Sequence, residues 1–326
     1  MTSIGLAVAV GAAGALVGCW LRTPRVAAFG LVGKAGLGLF CGCAAVLASP
    51  LSEHAAVGTL AWTGYVLAID AAVFAARGRS LLRSRPDTFL WLAVSSVFLW
   101  LPFEWYNERL AGWYRSGLPP DLSRYVLLGW SFACVWPALF ETADLLLALW
   151  GKRRRDAIAP RRPGLSVSCS VSAAGAILLL APLALPRLDL GERLLPLAGA
   201  GFLLLLEPWN AAAGRASLWI DARSREYSRL LALAGAGVHC GLWLDALNHF
   251  SHAKWHSLWG TASAGRLFEL PWLAYAVLPL LGWQSFAMYE FAAGLLRLPR
   301  CELGELGDNA IQGQIAEQQR PPLRHL

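Results

Sequence analysis

Seven carboxylates interrupt the apolar stretches of this 326-residue chain: Asp70, Glu104, Glu141, Asp144, Glu207, Asp245 and Glu290. An ionised acid at the centre of a bilayer costs about 2.5–3.5 kcal/mol on insertion scales, so acids in such stretches face a protein interior, pair, or take up a proton. Two of them share a pattern. Glu104 stands three residues before Asn107, and Asp245 three before Asn248, which puts acid and amide on one helix face. Trp100, Trp113 and Tyr114 surround the first pair in sequence, and Trp243 and Trp255 the second. An acid oriented by an amide beside aromatic rings can protonate an apolar substrate, and the rings can stabilise the cation that develops. Glu104, Asp245, Asn107 and Asn248 are the candidate catalytic groups, the five aromatics the candidate substrate contacts. Asp70, Glu141, Glu207 and Glu269 are relay candidates. The plainer alternative is that the acids make interhelical hydrogen bonds and the aromatics form an interfacial belt.

Three histidines follow Asp245 at i+4, i+7 and i+11: His249, His252 and His256. Imidazoles on one helix face beside a carboxylate suit zinc or iron. Only one of the two acid motifs carries them, and the helix is expected to end near Phe250. No cofactor is therefore predicted; haem or a metal at these histidines is the secondary reading. Six histidines are too few for the eight-histidine di-iron site of membrane hydroxylases. Neither a dinucleotide-binding glycine fingerprint nor a P-loop occurs.

The elements that must position these groups are helices in a membrane. Apolar residues make up 56% of the chain and charged residues 15%, against about 25% charged in soluble chains. Nine stretches reach the roughly twenty residues that cross a hydrocarbon core. They cover about 3–21, 26–48, 56–76, 88–107, 125–150, 168–185, 194–212, 229–250 and 268–297. The first is read as a span, since no basic segment of a cleavable signal precedes it. The net charge of +7 comes from Lys and Arg lying between spans, a topology signal that argues against nucleic acid as a partner. Segments after the odd-numbered spans hold 20 of the 28 basic residues, Lys152–Arg155 among them. The expectation is an outer N-terminus, a cytoplasmic C-terminus, and a flexible tail over 299–326. Most of the seven cysteines lie in or beside the spans, as small apolar residues do.

An internal repeat organises the spans. Asp70, Gly78-Arg79-Ser80-Leu81-Leu82, Leu99-Trp100, Glu104-x-x-Asn107 and Trp113-Tyr114 run in the same order as Glu207, Gly214-Arg215-Ala216-Ser217-Leu218, Leu242-Trp243, Asp245-x-x-Asn248 and Trp255-His256. The two acids of the first set are 34 residues apart, those of the second 38. Equivalent spans are four crossings apart, which predicts parallel repeats about an axis along the membrane normal. The expected fold is all-α and polytopic. It comprises two N-terminal helices (1–55), a three-helix repeat (56–150), a basic loop with a linking helix (151–191), a second repeat (192–298) and the tail.

The pattern from Asp70 through Glu104-x-x-Asn107 and Trp113-Tyr114 to Pro137-Ala138-Leu139-Phe140-Glu141 resembles a group of uncharacterised bacterial polytopic membrane proteins, over most of 56–298. More distantly, the three-helix unit is similar to the repeat of the integral-membrane lycopene cyclases of carotenoid synthesis. In those, an acid followed by Asn leads to a Trp/Tyr cluster and then a Pro-Glu motif. Glu104, Asn107, Trp113 and Tyr114 match the first part; Glu141 and Glu269-Leu270-Pro271 echo the second, and Gln284 stands where Glu141 would repeat. The resemblance implies a bacterial inner-membrane protein acting on an isoprenoid- or carotenoid-like lipid. Glu104 and Asp245 would protonate a carbon–carbon double bond, in a cyclase-like isomerase or lyase reaction. Two other readings stay open: a proton-coupled transporter, and a structural or cofactor-holding subunit of a membrane complex with His239 or the histidine stripe as ligands.

Overall fold

Long apolar runs broken by Pro, Gly and Arg fold here as helices whose ends fall at those breaks. The computed structural model describes residues 2–49, 53–150, 163–184, 191–258, 265–301 and 303. In chain order the elements are α1 (Thr2–Arg22), α2 (Gly30–Leu47), α3 (Val57–Arg77), α4 (Leu81–Ser84), α5 (Pro86–Leu110), β1 (Trp113–Ser116), α6 (Ser123–Trp150), α7 (Leu165–Ala184), α8 (Gly191–Ala212), α9 (Leu218–Arg223), α10 (Ser228–Phe250), β2 (Lys254–Ser257) and α11 (Leu278–Leu296). By length and composition, α1, α2, α3, α5, α6, α7 and α10 can cross a membrane. The expected stretches 194–212 and 268–297 correspond to α8 and α11, which are not among those seven.

The last of these is a correction. Residues before 278 are not helical throughout: a short 3₁₀ turn, Trp272–Val277, follows Pro271, whose backbone bridges to Arg266. Proline fixes φ and carries no N–H, so it ends one element and α11 starts afresh with Pro279 in its first turn. The architecture is otherwise helical, as an all-α reading expects, with one pair of four-residue strands added. β1 and β2 pair antiparallel, Tyr114 opposite His256 and Trp113 opposite Ser257. The basic stretch Lys152–Arg155 and the tail beyond 303 lie outside the described residues.

Packing follows the same plan twice. α2 packs on α3, and α7 on α8. Each contact is a close backbone crossing at paired glycines: a Cβ on Gly36 would stand 2.9 Å from the Gly64 carbonyl oxygen, and one on Gly175 2.8 Å from that of Gly201. Small residues at crossings are how membrane helices approach closely. α3 then packs on α6 as α8 does on α11, and α5 on α6 as α10 does on α11. Helices α3 and α8 are followed by glycines in the left-handed region, Gly78 at φ 73° and Gly214 at φ 68°, where any other residue would be strained.

The core lies where α6, α10, α11 and α3 meet. Trp136, Phe140, Phe286 and Tyr289 are buried there, with the Phe140 and Tyr289 rings edge to face at 5.9 Å. Tyr65 ties α3 to α6 through its hydroxyl, 2.6 Å from that of Thr142. By contrast, α1 buries only Gly5 and Ala9, the former against Phe268. All seven cysteines are free.

Candidate functional site

Glu104 lies near the C-terminal end of α5, one turn beyond Trp100, whose indole Nε1 donates to Oε1 at 3.1 Å. The chain then turns back through β1 and brings Arg115 over the same carboxylate. Its guanidinium donates to both oxygens, at 2.8 and 2.6 Å. Two parallel bonds fix direction as well as distance. Asn107 explains why β1 sits where it does: its Nδ2 donates to the Trp113 carbonyl at 2.9 Å, and its Oδ1 accepts from the Trp113 N–H at 2.7 Å. Asn248 grips Trp255 of β2 in the same way, at 2.8 and 2.9 Å. Both amides are thus clamps that dock a strand on the end of its own helix.

Asp245 is fully buried on α10 and has different partners. It accepts from the backbone N–H groups of Glu269 and Leu270, each at 3.1 Å, and from the Tyr275 hydroxyl. It anchors the 265–277 segment.

The histidines do not form a helix face. α10 ends at Phe250, His252 lies exposed in the following turn, and His256 belongs to β2. His249 and His256 nonetheless converge on Glu269, their Nδ1 atoms 3.1 and 3.5 Å from its carboxylate, with Lys254 Nζ at 3.9 Å. The other ring nitrogen of His256 lies 2.8 Å from the Ser116 hydroxyl, and its ring stacks on Tyr114 at 4.7 Å. Among the described residues no group of three His, Cys, Asp or Glu is placed to hold a metal.

Beneath the strand pair, between α3, α5, α6, α10 and α11, lies a cavity of about 370 Å³. Trp62, Trp100, Phe103, Trp113, Phe132 and Trp255 supply its aromatic wall. Glu104 and Asn248 line it, but Asp245 and Asn107 do not. Nor do Tyr114, which is 53% exposed on the outer side of β1, and Trp243, whose ring packs edge-on against Phe40 at 5.1 Å. Most polar groups in the wall are matched: besides Glu104 with Arg115, Thr59 and Ser131 share a hydroxyl bond of 2.7 Å.

Three of the remaining acids, Asp70, Glu141 and Glu207, lie elsewhere and serve short helices. Asp70 Oδ1 accepts from the Leu82 N–H at 2.9 Å, and Glu141 Oε1 from the Leu81 N–H at 2.7 Å, together satisfying the first turn of α4. Arg83 approaches Asp70 at 3.7 Å. Glu207 does the same for α9, accepting from the Trp219 N–H at 3.1 Å and the Ser217 hydroxyl at 2.6 Å. Helix N-termini leave such amides without intrahelical partners. Asp144 pairs with Arg77 at 3.5 Å.

Sequence reasoning missed Arg115, Lys254 and Gln284, which line the cavity, and Phe132 behind Trp100. Arg115 carried a signal, as a lone cation within an aromatic segment; Gln284 carried another, as the one amide in an apolar run. Comparison with family models, curated proteins and solved structures gives no match.

Proposed function

We propose that this is a membrane-embedded protein that binds a small apolar, isoprenoid-like molecule in the cavity beneath β1 and β2. The observation that carries the reading is the cavity itself: an aromatic wall with one internally matched ion pair, within the usual size range of ligand sites. An aromatic lining of this extent suits a short isoprenoid or part of a longer chain. Binding is better supported than double-bond protonation. Glu104 and Asp245 accept hydrogen bonds from every partner described above, whereas a general acid must donate one. In this reading Glu104 positions Arg115, Asn107 and Asn248 position the strands, and Trp100, Trp113 and Trp255 contact the ligand.

The same reading includes nine spans in a bacterial inner membrane, an outer N-terminus and two parallel repeats. Support for the repeats comes from the recurring order of elements, the two Asn–Trp clamps and the two glycine crossings. The crossings extend each unit of 56–150 and 192–298 backwards by one helix, α2 and α7. A pair of antiparallel strands centred on equivalent residues, Tyr114 and His256, carries a local two-fold axis perpendicular to the strands.

The test uses the purified chain in detergent and all-trans-retinol, a polyene alcohol that absorbs where tryptophan emits. With four tryptophans in the wall, binding should quench emission saturably at one ligand per chain, and Leu281→Trp, which narrows the cavity, should weaken the saturable part. Quenching that rises linearly with retinol in both proteins would mean partition into the micelle and would refute the site.

A further inference from the structure

Of the two side-chain amides in the cavity wall, Asn248 is held by Trp255 and Gln284 is not held in that way. Gln284 enters from α11, six residues beyond Leu278, or about 9 Å along the axis at 1.5 Å per residue. Only 7% of it is exposed, it lines the cavity, and it makes no hydrogen bond to any described residue. Its carboxamide is also closely seated. A Cβ on Gly199 of α8 would stand 2.0 Å from Gln284 Oε1, so the amide occupies a slot that glycine alone leaves open. Around it the wall is apolar, with Leu278, Leu280, Leu281 and Val277 from the same end of the chain.

A side-chain amide offers two N–H donors and a carbonyl acceptor. Buried polar groups in native proteins are matched as a rule, so an amide in a cavity wall without a partner among the described residues points to a partner that enters the cavity. On the reading of this cavity as an apolar-ligand site, we infer that Gln284 selects an occupant carrying a hydroxyl or carbonyl oxygen. The ligand class is then an isoprenoid-like alcohol, aldehyde or ketone, not a hydrocarbon. A hydroxyl fits the amide in both directions, accepting from Nε2 and donating to Oε1. A hydrocarbon of the same shape leaves the amide dry and unmatched. Sites built to hydrogen-bond a ligand oxygen reject the analogue lacking it far more strongly than an apolar pocket rejects one methylene more or less.

The experiment compares all-trans-retinol with the same polyene bearing a methyl group in place of the hydroxymethyl group, by tryptophan quenching in detergent. Wild-type protein should bind the alcohol about tenfold or more tighter, the change of one well-made hydrogen bond. Gln284→Leu should weaken the alcohol and tighten the hydrocarbon, so that the preference shrinks or reverses. Equal, saturable affinities in the wild type overturn the inference while leaving the cavity site standing; the amide then holds water only. A Gln284→Leu variant that loses affinity for both ligands alike also overturns it, since the residue is then a wall position. Saturation by neither ligand removes the cavity reading itself. The wild-type comparison needs no variant, so a failure of Gln284→Leu to fold leaves the inference exposed to it.

Discussion

Glu104 and Asp245 each stand three residues before an asparagine that clamps a strand tryptophan, yet their surroundings differ. Glu104 is about one fifth exposed, borders the cavity and meets a side chain, Arg115. Asp245 is fully buried, lies outside the cavity and meets backbone. Arg115 stands two residues after the clamped Trp113, and two residues after the clamped Trp255 stands Ser257, which has no charge to offer Asp245. Backbone donors from 269 and 270 fill that role instead. The lesson is that the clamp and the acid are separable. The clamp is kept in both halves because both strands need docking, whereas each acid takes whatever donors its own half supplies.

That contrast is exposed to three stability measurements in detergent. The largest effect is expected at Asp245: Asp245→Ala strands two buried N–H groups and a phenol, at about 1–3 kcal/mol for each unsatisfied group and about 3–5 kcal/mol in all. If thermal unfolding shows Asp245→Ala to be as mild as a surface change, the anchor role is wrong. Glu104→Gln should cost less, about 1–2 kcal/mol, because Arg115 is partly exposed and water can take over its unpaired charge. The double variant Glu104→Gln with Arg115→Gln should recover part of that loss; no recovery would mean the two charges are not coupled. Smallest, and equal in the two halves, should be the clamps. Asn107→Ala and Asn248→Ala each remove two neutral hydrogen bonds, worth about 1–2 kcal/mol together. A clear inequality would show that one strand is docked by something other than its asparagine.

Much of the helical arrangement was legible because charged residues in apolar stretches stand out, and the same residues recur in order. The recurrence of Gly-Arg-Ser after Asp70 and Gly-Arg-Ala-Ser after Glu207 marks two short helices whose N-terminal amides those acids satisfy. The strands were not legible. Four residues such as Trp113–Ser116 carry no periodicity to speak of, and their partners lie about 140 positions away. The end of α10 was legible: it stops at Phe250, as expected, so the helical spacing of His252 and His256 beyond it does not make a helix face. Gln284 was visible only as a departure from an expected glutamate. Its isolation depends on the slot at Gly199, which no local pattern announces.

The strand pair has one more consequence. On the proposed repeat, in which Tyr114 and His256 are counterparts, the antiparallel ladder is the contact that a strand makes with a second copy of itself across a dyad. A half-length chain could close the same ladder as a homodimer, with identical side chains on both sides and an assembly that depends on concentration. Joining the halves in one polypeptide makes that closure intramolecular, at an effective concentration set by the connecting chain. It also lifts the requirement that both sides match. Tyr114 can then face a histidine, and an arginine on one strand can answer to a serine on the other, an asymmetry closed to a ladder built from identical subunits.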